Sequence, residues 1–226
     1  MKNRILLSFF VICLGGCCHI PNFGNATTRI DTPQWFANDS LQYTVKHITN
    51  ITFDNNENNE IDLIGYLMVK KNDFRLLGMS EIGITLFDLY DEANKPLVTV
   101  KSFAELEKYD VLQNIAADIR LLFLSQQMIK NDSQVFIDKD NNTTYLRASD
   151  TWIAWKIDAQ NKSRNITVGK CSTILKEINY ELNDKPFFEK AFIHYPRMGI
   201  KIEIEVLEVE PRTISNKKFI PREISP

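Results

Sequence analysis

The sequence predicts an α+β fold that is mainly antiparallel β, with one long helix. Three observations support this prediction. Apolar residues alternate with polar ones along most of the chain, short polar turns separate the alternating runs, and one stretch near the middle changes to helical spacing. Parallel neighbours would need crossovers of about a dozen residues or more, which is longer than these turns.

The first sixteen residues have the order of a secretory signal peptide. Lys2 and Arg4 give a positive start, residues 5–14 are almost unbroken in apolar character, and two glycines follow. The apolar run is shorter than the about 20 residues that a membrane-spanning helix needs. We therefore expect residues 1–16 to be a cleaved leader and residues 17–38, which carry no periodicity, to be a tether.

The end of this leader, Leu14-Gly15-Gly16-Cys17, resembles the bacterial lipobox. The resemblance implies cleavage before Cys17, a diacylglycerol on its sulfur and an acyl chain such as palmitate on its amine. An ordinary signal peptide cut nearby is the alternative. We expect Cys171 to be a free, buried cysteine in a strand, and a Cys18–Cys171 disulfide is the other reading.

The composition indicates one domain without a basic surface. About 210 residues follow the leader, which is enough for a single domain, expected over 39–211 with a flexible tail over 212–226. The formal net charge of −2 becomes −4 when Lys2 and Arg4 are removed. A nucleic-acid binder would carry a basic excess, so this class is excluded.

Five strands are expected in the first half of the chain, at 41–53, 60–71, 74–79, 83–90 and 96–101. They carry apolar side chains on both faces: Leu63 and Leu67 point one way along the second strand, and Ile64 and Tyr66 point the other way. An antiparallel sheet with one wet face alternates more cleanly. Either protein covers both faces, which we favour, or one face lines an apolar space.

A helix is expected over 103–127. Its apolar residues recur at helical spacing, at Leu112, Ile115, Ala116, Ile119, Leu122 and Phe123. Ser102 and Glu105 have the spacing of a capping box, and Asp110 is a second candidate cap. The polar face has no cluster of Lys and Arg, so packing on the sheet is favoured over lying on a membrane.

The second half returns to strands. A short one is expected at 135–137 within 131–140, one lies within 167–179, and the others are expected at 144–148, 152–158, 188–195 and 200–210. Residues 196–199 form a turn between the last two strands. The alternation then slips by one residue near Val206 and Leu207. Because a slip turns the following side chains to the other face, we expect a β-bulge there.

Chemistry-bearing motifs are scarce. His47 and His194 lie in expected strands with no Cys or carboxylate at metal-ligand spacing, and no nucleophile elbow or phosphate-binding loop occurs. We therefore expect no enzymatic activity, no metal and no cofactor. A pair of carboxylates from distant strands would escape a sequence reading, which keeps a hydrolase as a minor alternative.

The order of leader, tether, antiparallel strands, one long helix and more strands resembles the LolA/LolB-like lipoprotein-carrier superfamily. It is most similar to an uncharacterised lipoprotein branch associated with aryl-polyene-type biosynthesis clusters. Residues 74–87, the helical segment 111–121 and the hairpin 192–204 carry the resemblance. It implies an incomplete, half-open β-barrel with the long helix against its inner face and an apolar cavity for acyl chains.

The resemblance also implies a function. We expect a monomeric, periplasm-facing outer-membrane lipoprotein that binds acyl chains or lipoproteins, with its membrane anchor at Cys17. A structural envelope lipoprotein without a cavity is the main alternative. The cavity-lining residues expected on the apolar stripes of the strands and helix are Leu63, Leu67, Leu76, Leu86, Leu112, Ile115, Ile119 and Trp155.

Overall fold

In the part of the chain that the structure describes, twelve antiparallel strands form one sheet, and a helix packs on one of its faces. The structure is a computed structural model and describes residues 21, 23, 42–54, 60–93, 95–104, 106, 110–124, 134–157, 163–181 and 187–221. The elements are β1 Gln42–Phe53, β2 Glu60–Lys70, β3 Asp73–Met79, β4 Thr85–Asp91, β5 Val98–Ser102, α1 Val111–Phe123, β6 Gln134–Asp138, β7 Thr143–Ala148, β8 Thr151–Ile157, β9 Ser163–Lys170, β10 Thr173–Glu181, β11 Lys190–Tyr195, β12 Ile200–Pro211 and α2 Asn216–Phe219.

The sheet consists of two meanders that meet at its centre. Strands β1 to β5 run in order from the centre to one edge, and β6 to β12 return from the other edge. The first and last strands pair antiparallel, from Tyr43 opposite Pro211 to Phe53 opposite Ile200. The predicted antiparallel meander is therefore confirmed, as one open, curled sheet with β5 and β6 at its edges.

The expected β-bulge lies at Leu207. Lys46 is opposite Glu208, but the next residue, His47, is opposite Val206, so Leu207 has no partner on β1. The extra residue allows Val206 and Val209, which are three positions apart, both to pack against the core. The slip in alternation that the sequence contains is thus absorbed, and the prediction is confirmed.

The main core lies between α1 and the inner face of the sheet, which is the face carrying Val45, Leu67, Leu76 and Ile178. All four side chains are buried. The helix adds an apolar stripe to this core through Leu112, Ala116, Ile119, Leu122 and Phe123. The long helix therefore packs on the sheet, as its broad apolar face predicts.

Helix α1 begins later than the predicted 103–127. Ser102 is the last residue of β5, and the backbone N–H of Phe103 donates to the Leu86 carbonyl at 3.0 Å. These residues extend the strand pairing, so the expected capping box does not start the helix. Asp110 precedes α1 with a left-handed backbone, φ 56°, and its side chain makes no capping hydrogen bond. Residues 125–127 lie outside the described residues.

A second apolar cluster covers the outer face over β2 to β5. Tyr90, Ile214 and Phe219 are buried together, and Met68 packs against them. The rings of Tyr90 and Phe219 meet edge to face with centroids 5.6 Å apart. Protein therefore covers part of both faces, as the favoured reading expects: Met68, Val98 and Val100 pack under the C-terminal segment, whereas Tyr66 stays 39% exposed on the outer face.

Residues 212–221 were expected to be the start of a loose tail, but they pack on the sheet. Ile214 and Phe219 are buried, and the Arg75 guanidinium donates to the Lys218 carbonyl at 2.8 Å. The sequence reading missed this contact because a segment of ten residues with one short helical turn has too little periodicity to reveal its buried side. The expectation is corrected for these ten residues.

The single strand expected over 167–179 is a hairpin of two strands, β9 and β10. Cys171 and Ser172 form the turn between them, and Cys171 has a positive φ of 52°. Cys171 is half-buried and disulfide-bonded, so the expectation of a free, buried strand cysteine is wrong. Its disulfide partner lies outside the described residues, as do the three other cysteines of the chain.

Candidate functional site

A row of four residues crosses the inner face at the centre of the first meander. His47 on β1 lies opposite Gly65 on β2, which lies opposite Gly78 on β3, which lies opposite Phe87 on β4. A Cβ atom at Gly65 would be 2.0 Å from the His47 ring, and one at Gly78 would be 2.2 Å from the Phe87 ring. Each glycine therefore leaves the space in which its neighbour's ring lies.

An apolar cavity of about 50 Å³ lies between this row and α1. The helix closes it on one side, and strands from both meanders form its floor and walls. Its lining is aliphatic and aromatic except for three polar side chains, those of His47, Thr49 and Asp118. The lining residues are His47, Thr49, Ile51, Leu63, Gly65, Leu76, Gly78, Phe87, Ile115, Asp118, Ile119, Ile193, Ile202 and Ile204.

Four of the eight residues expected to line a cavity do so, namely Leu63, Leu76, Ile115 and Ile119. The other four belong to the surrounding core. Leu67, Leu112 and Trp155 are buried within it, and Leu86 is half-buried and packs against it. Cys17, the expected site of lipid attachment, lies outside the described residues.

His47 is the cavity residue that the sequence reading took for an ordinary strand residue. It is 5% exposed, and its Nδ1 atom is 3.0 Å from Thr49 Oγ1. Its Nε2 atom has no hydrogen-bond partner among the described residues. Burial lowers the pKa of His47 to about 4, so the imidazole is neutral at pH 7. The His47 ring fits on the inner face because Gly65 lies opposite it on β2 and has no side chain. The sequence reading missed this role because a single sequence does not show which residues of two strands are paired.

Asp118 connects α1 to the second meander through a buried polar cluster. Its carboxylate is 2.5 Å from Lys176 Nζ on β10 and accepts a hydrogen bond from the Tyr195 hydroxyl on β11. The Lys176 ammonium also lies 3.3 Å from that hydroxyl. Burial raises the pKa of Asp118, and the Lys176 charge and the two hydrogen bonds oppose this effect. Burial and the Asp118 charge raise the pKa of Tyr195.

Arg120 connects the end of α1 to the first meander. Its Nε atom is 2.5 Å from a carboxylate oxygen of Asp91 at the end of β4. The guanidinium lies 5.5 Å from the centre of the Phe74 ring, which is a cation–π distance. The helix is therefore attached to β4 by one ion pair and to β10 by another, and Asp118 of the second pair also lines the cavity.

A larger depression of about 360 Å³ lies elsewhere, against β9, β10 and β11. Its lining includes Arg164, Glu181, Glu189 and Lys190, which are charged groups of both signs. Such a surface would have to desolvate charged groups to hold an acyl chain. The small cavity under α1 is therefore the better candidate for an apolar ligand.

Among the described residues, no group of three or more His, Cys, Asp or Glu side chains is arranged to hold a metal ion. Nor does any helix there combine the length and the apolar character that crossing a membrane requires.

No family model matches the sequence, and no curated protein matches it. The fold, in contrast, matches that of solved structures. A LolA superfamily protein from Nitrosomonas europaea superposes with a TM-score of 0.51 at 10% identity, over 82% of this chain and 92% of that one. The aryl-polyene-associated branch stays a prediction.

Two other matches have TM-scores below 0.5 and add nothing to the fold assignment. A DUF1329 family protein from Desulfovibrio piger has a TM-score of 0.36 at 8% identity, over 78% of this chain and 88% of that one. A domain assigned to outer membrane lipoprotein sorting from Vibrio parahaemolyticus has a TM-score of 0.37 at 7% identity, over 76% and 86%. From the first match alone, the LolA-like resemblance read from the sequence is confirmed at the level of the fold: this chain has the fold of the LolA superfamily.

Proposed function

We propose that this protein is a periplasm-facing outer-membrane lipoprotein, anchored at Cys17, that binds an acyl chain of a lipid or lipoprotein between α1 and the sheet. In this account the curled sheet acts as a half-open barrel and α1 as its cover. The observation that carries the proposal is the apolar cavity directly beneath α1, in a chain with the LolA fold. The lipobox-like leader supports the anchor and the location.

The size of the cavity implies that a ligand enters only when α1 moves. Ligand pockets usually measure about 300–1,000 Å³, whereas this cavity measures about 50 Å³. A chain that replaces α1 on the inner face would gain roughly 25 cal/mol for each Å² of apolar surface it buries. The closed state therefore corresponds to the empty carrier, in which α1 occupies the place of the ligand.

The polar groups in the cavity favour binding over catalysis. Thr49 and His47 are within hydrogen-bond distance, as a nucleophile and its base would be, but no third group in the described part of the chain orients the imidazole. Asp118 makes its hydrogen bonds to Lys176 and Tyr195 instead. We therefore propose a non-enzymatic, monomeric binding protein that needs no cofactor.

The main alternative is a structural envelope lipoprotein with a permanently closed interior. The small volume of the cavity is the observation that favours it. The two readings differ in one property: a carrier takes up an acyl chain in solution, whereas a structural protein does not.

A titration with cis-parinaric acid, a fatty acid whose fluorescence rises in apolar surroundings, tests the proposal. We expect saturable binding to the mature chain. Ile115→Trp places a large side chain at the half-buried, cavity-facing position of α1 and should weaken binding at least tenfold. Ile48→Trp, on the exposed outer side of β1, is the matched control and should bind like the wild type.

Circular dichroism melts of both variants verify that they are folded. Absence of binding to the wild type supports the structural alternative. Equal binding by a folded Ile115→Trp variant places the ligand elsewhere on the molecule.

A further inference from the structure

The turn that contains Cys171 is held rigidly at one end of the sheet. The backbone N–H of Cys171 donates to the Asp150 carbonyl at 2.8 Å, and its own carbonyl accepts a hydrogen bond from Trp152 Nε1 at 2.8 Å. The Trp152 ring lies over Gly169, where a Cβ atom would be 2.2 Å away. Cys171 therefore presents its disulfide from a fixed position.

The N-terminal segment contacts the outer face beside this turn. The Phe23 ring stacks on Tyr145 with centroids 4.4 Å apart, and it lies 5.7 Å from the rings of Phe136 and Trp152. Trp152 thus contacts both Phe23 and the Cys171 carbonyl. Phe23, one of the two described residues of the expected tether, therefore lies against the domain at this point.

The cysteine that pairs with Cys171 follows from the chemistry of the leader. The other cysteines are Cys13, Cys17 and Cys18. Under the proposed anchoring, Cys13 leaves with the leader and the sulfur of Cys17 carries lipid, so Cys18 remains. Four residues lie between Cys18 and Phe23, and an extended chain over these five steps reaches about 17 Å.

Disulfide formation removes two protons and two electrons from the two thiols. A thiol–disulfide oxidoreductase accepts them in an oxidising compartment. The pairing is therefore compatible with a periplasm-facing protein.

Exposed apolar side chains are concentrated at the end of the sheet where Cys171 lies. This Cys171 end carries the turns at 80–84, 149–150, 171–172 and 196–199, as the strand registers require. Six of the ten large apolar side chains that are exposed among the described residues lie there: Ile61, Ile82, Ile84, Phe103, Ile174 and Met198. The other four, Ile48, Tyr66, Phe192 and Leu207, lie in the interior of their strands, so none of the ten is in a turn at the opposite end.

We propose that the Cys171 end of the sheet lies against the membrane, held there by a Cys18–Cys171 disulfide and by Phe23. The disulfide places the lipid-bearing residue directly beside this end, and the exposed side chains, led by Ile82 at 82% exposure, then meet the lipid surface. The occupant of this surface is the bilayer to which Cys17 is anchored. The inference rests on the proposed anchor, but it does not depend on ligand binding under α1.

Peptide mass mapping without reduction tests the disulfide on the full chain isolated from membranes. We expect a lipidated Cys17 in the same peptide as a Cys18–Cys171 link. A Cys17–Cys171 link would overturn both this inference and the proposed anchor. A reduced Cys171 beside a lipidated Cys17 would overturn this inference alone.

Quenching by brominated lipids tests the pose. The lipidated chain is reconstituted into vesicles of phosphatidylethanolamine and phosphatidylglycerol, with tryptophan introduced by Ile82→Trp or, as the matched control, by Lys139→Trp. Lys139 is exposed in the β6–β7 turn at the opposite end. Because both variants share the native tryptophans, we expect added quenching for Ile82→Trp alone. Equal quenching, or quenching of Lys139→Trp alone, would overturn the proposed pose.

Discussion

Single residues at the centre of the sheet decide what the interior can hold. Gly65 and Gly78 remove side chains from the floor of the cavity, and the rings of His47 and Phe87 occupy the space that they leave. The result is a buried imidazole with one unpartnered nitrogen beside an apolar cavity. A sequence reading finds the glycines and the histidine, but only the register of β1 against β2 shows that they form one feature.

The neutral state of His47 makes stability depend on pH. Its pKa in the folded chain is about 4, below the usual value of 6.5, so the unfolded chain binds more protons between these values. The stability that His47 contributes is complete above pH 6.5 and is lost as the pH falls towards 4. Relative to His47→Leu, the wild type should lose about 2–3 kcal/mol between pH 7 and pH 4.5, by urea denaturation.

Asp118 faces the same cavity, and its raised pKa acts in the opposite direction. The comparison with His47→Leu removes this contribution, since both proteins retain Asp118. A His47→Leu variant with the pH dependence of the wild type would show that His47 does not remain neutral.

The ion pair of Asp118 and Lys176 is buried on both sides, with the side chains 5% and 8% exposed. Asp118→Ala should destabilise the protein by about 3–5 kcal/mol in urea denaturation, because it leaves the Lys176 charge buried without its partner. Replacing both residues, as Asp118→Leu with Lys176→Met, should restore most of the loss. A single variant that costs less than about 1 kcal/mol would show that water reaches Lys176 readily.

At the scale of elements, the helix and the C-terminal segment cover opposite faces of the sheet. Helix α1 covers the inner face, and residues 212–221 cover the outer face over β2 to β5. The alternation along the strands predicted that both faces are apolar, and the helical spacing of the middle segment identified α1 as the cover of one face. Neither pattern identified the second cover, because Ile214 and Phe219 are isolated apolar residues in a polar segment.

Phe219→Ala tests whether the C-terminal cover is part of the folded domain. The ring is 2% exposed and contacts Tyr90, so its removal should lower the free energy of unfolding by about 3–5 kcal/mol. Lys217→Ala, two residues earlier and exposed, should change it by no more than about 0.5 kcal/mol. Equal stability of the two variants in urea denaturation would mean that the segment is a loose tail after all.

At the scale of the molecule, most of the order of elements was predictable from the sequence, apart from the division of 167–179 between β9 and β10 and the short helix α2. Period-two runs with short turns predicted the meanders, and the slip near Leu207 predicted the bulge in β12. The pairing of β1 with β12 was less accessible, because it joins strands about 150 residues apart and leaves no local pattern. The size of the cavity was not predictable either, since it depends on how closely α1 approaches Gly65 and Gly78.

The central claim is that an acyl chain enters between α1 and the inner face. Photolabelling with a palmitic acid that carries a diazirine near its methyl end tests this claim most directly, followed by peptide mapping of the adducts. We expect adducts on residues of the cavity wall, such as Ile115, Ile119 and Ile204, and competition by unlabelled palmitate. Adducts confined to exposed side chains such as Ile48 and Leu207, or adducts that palmitate does not reduce, would contradict the claim.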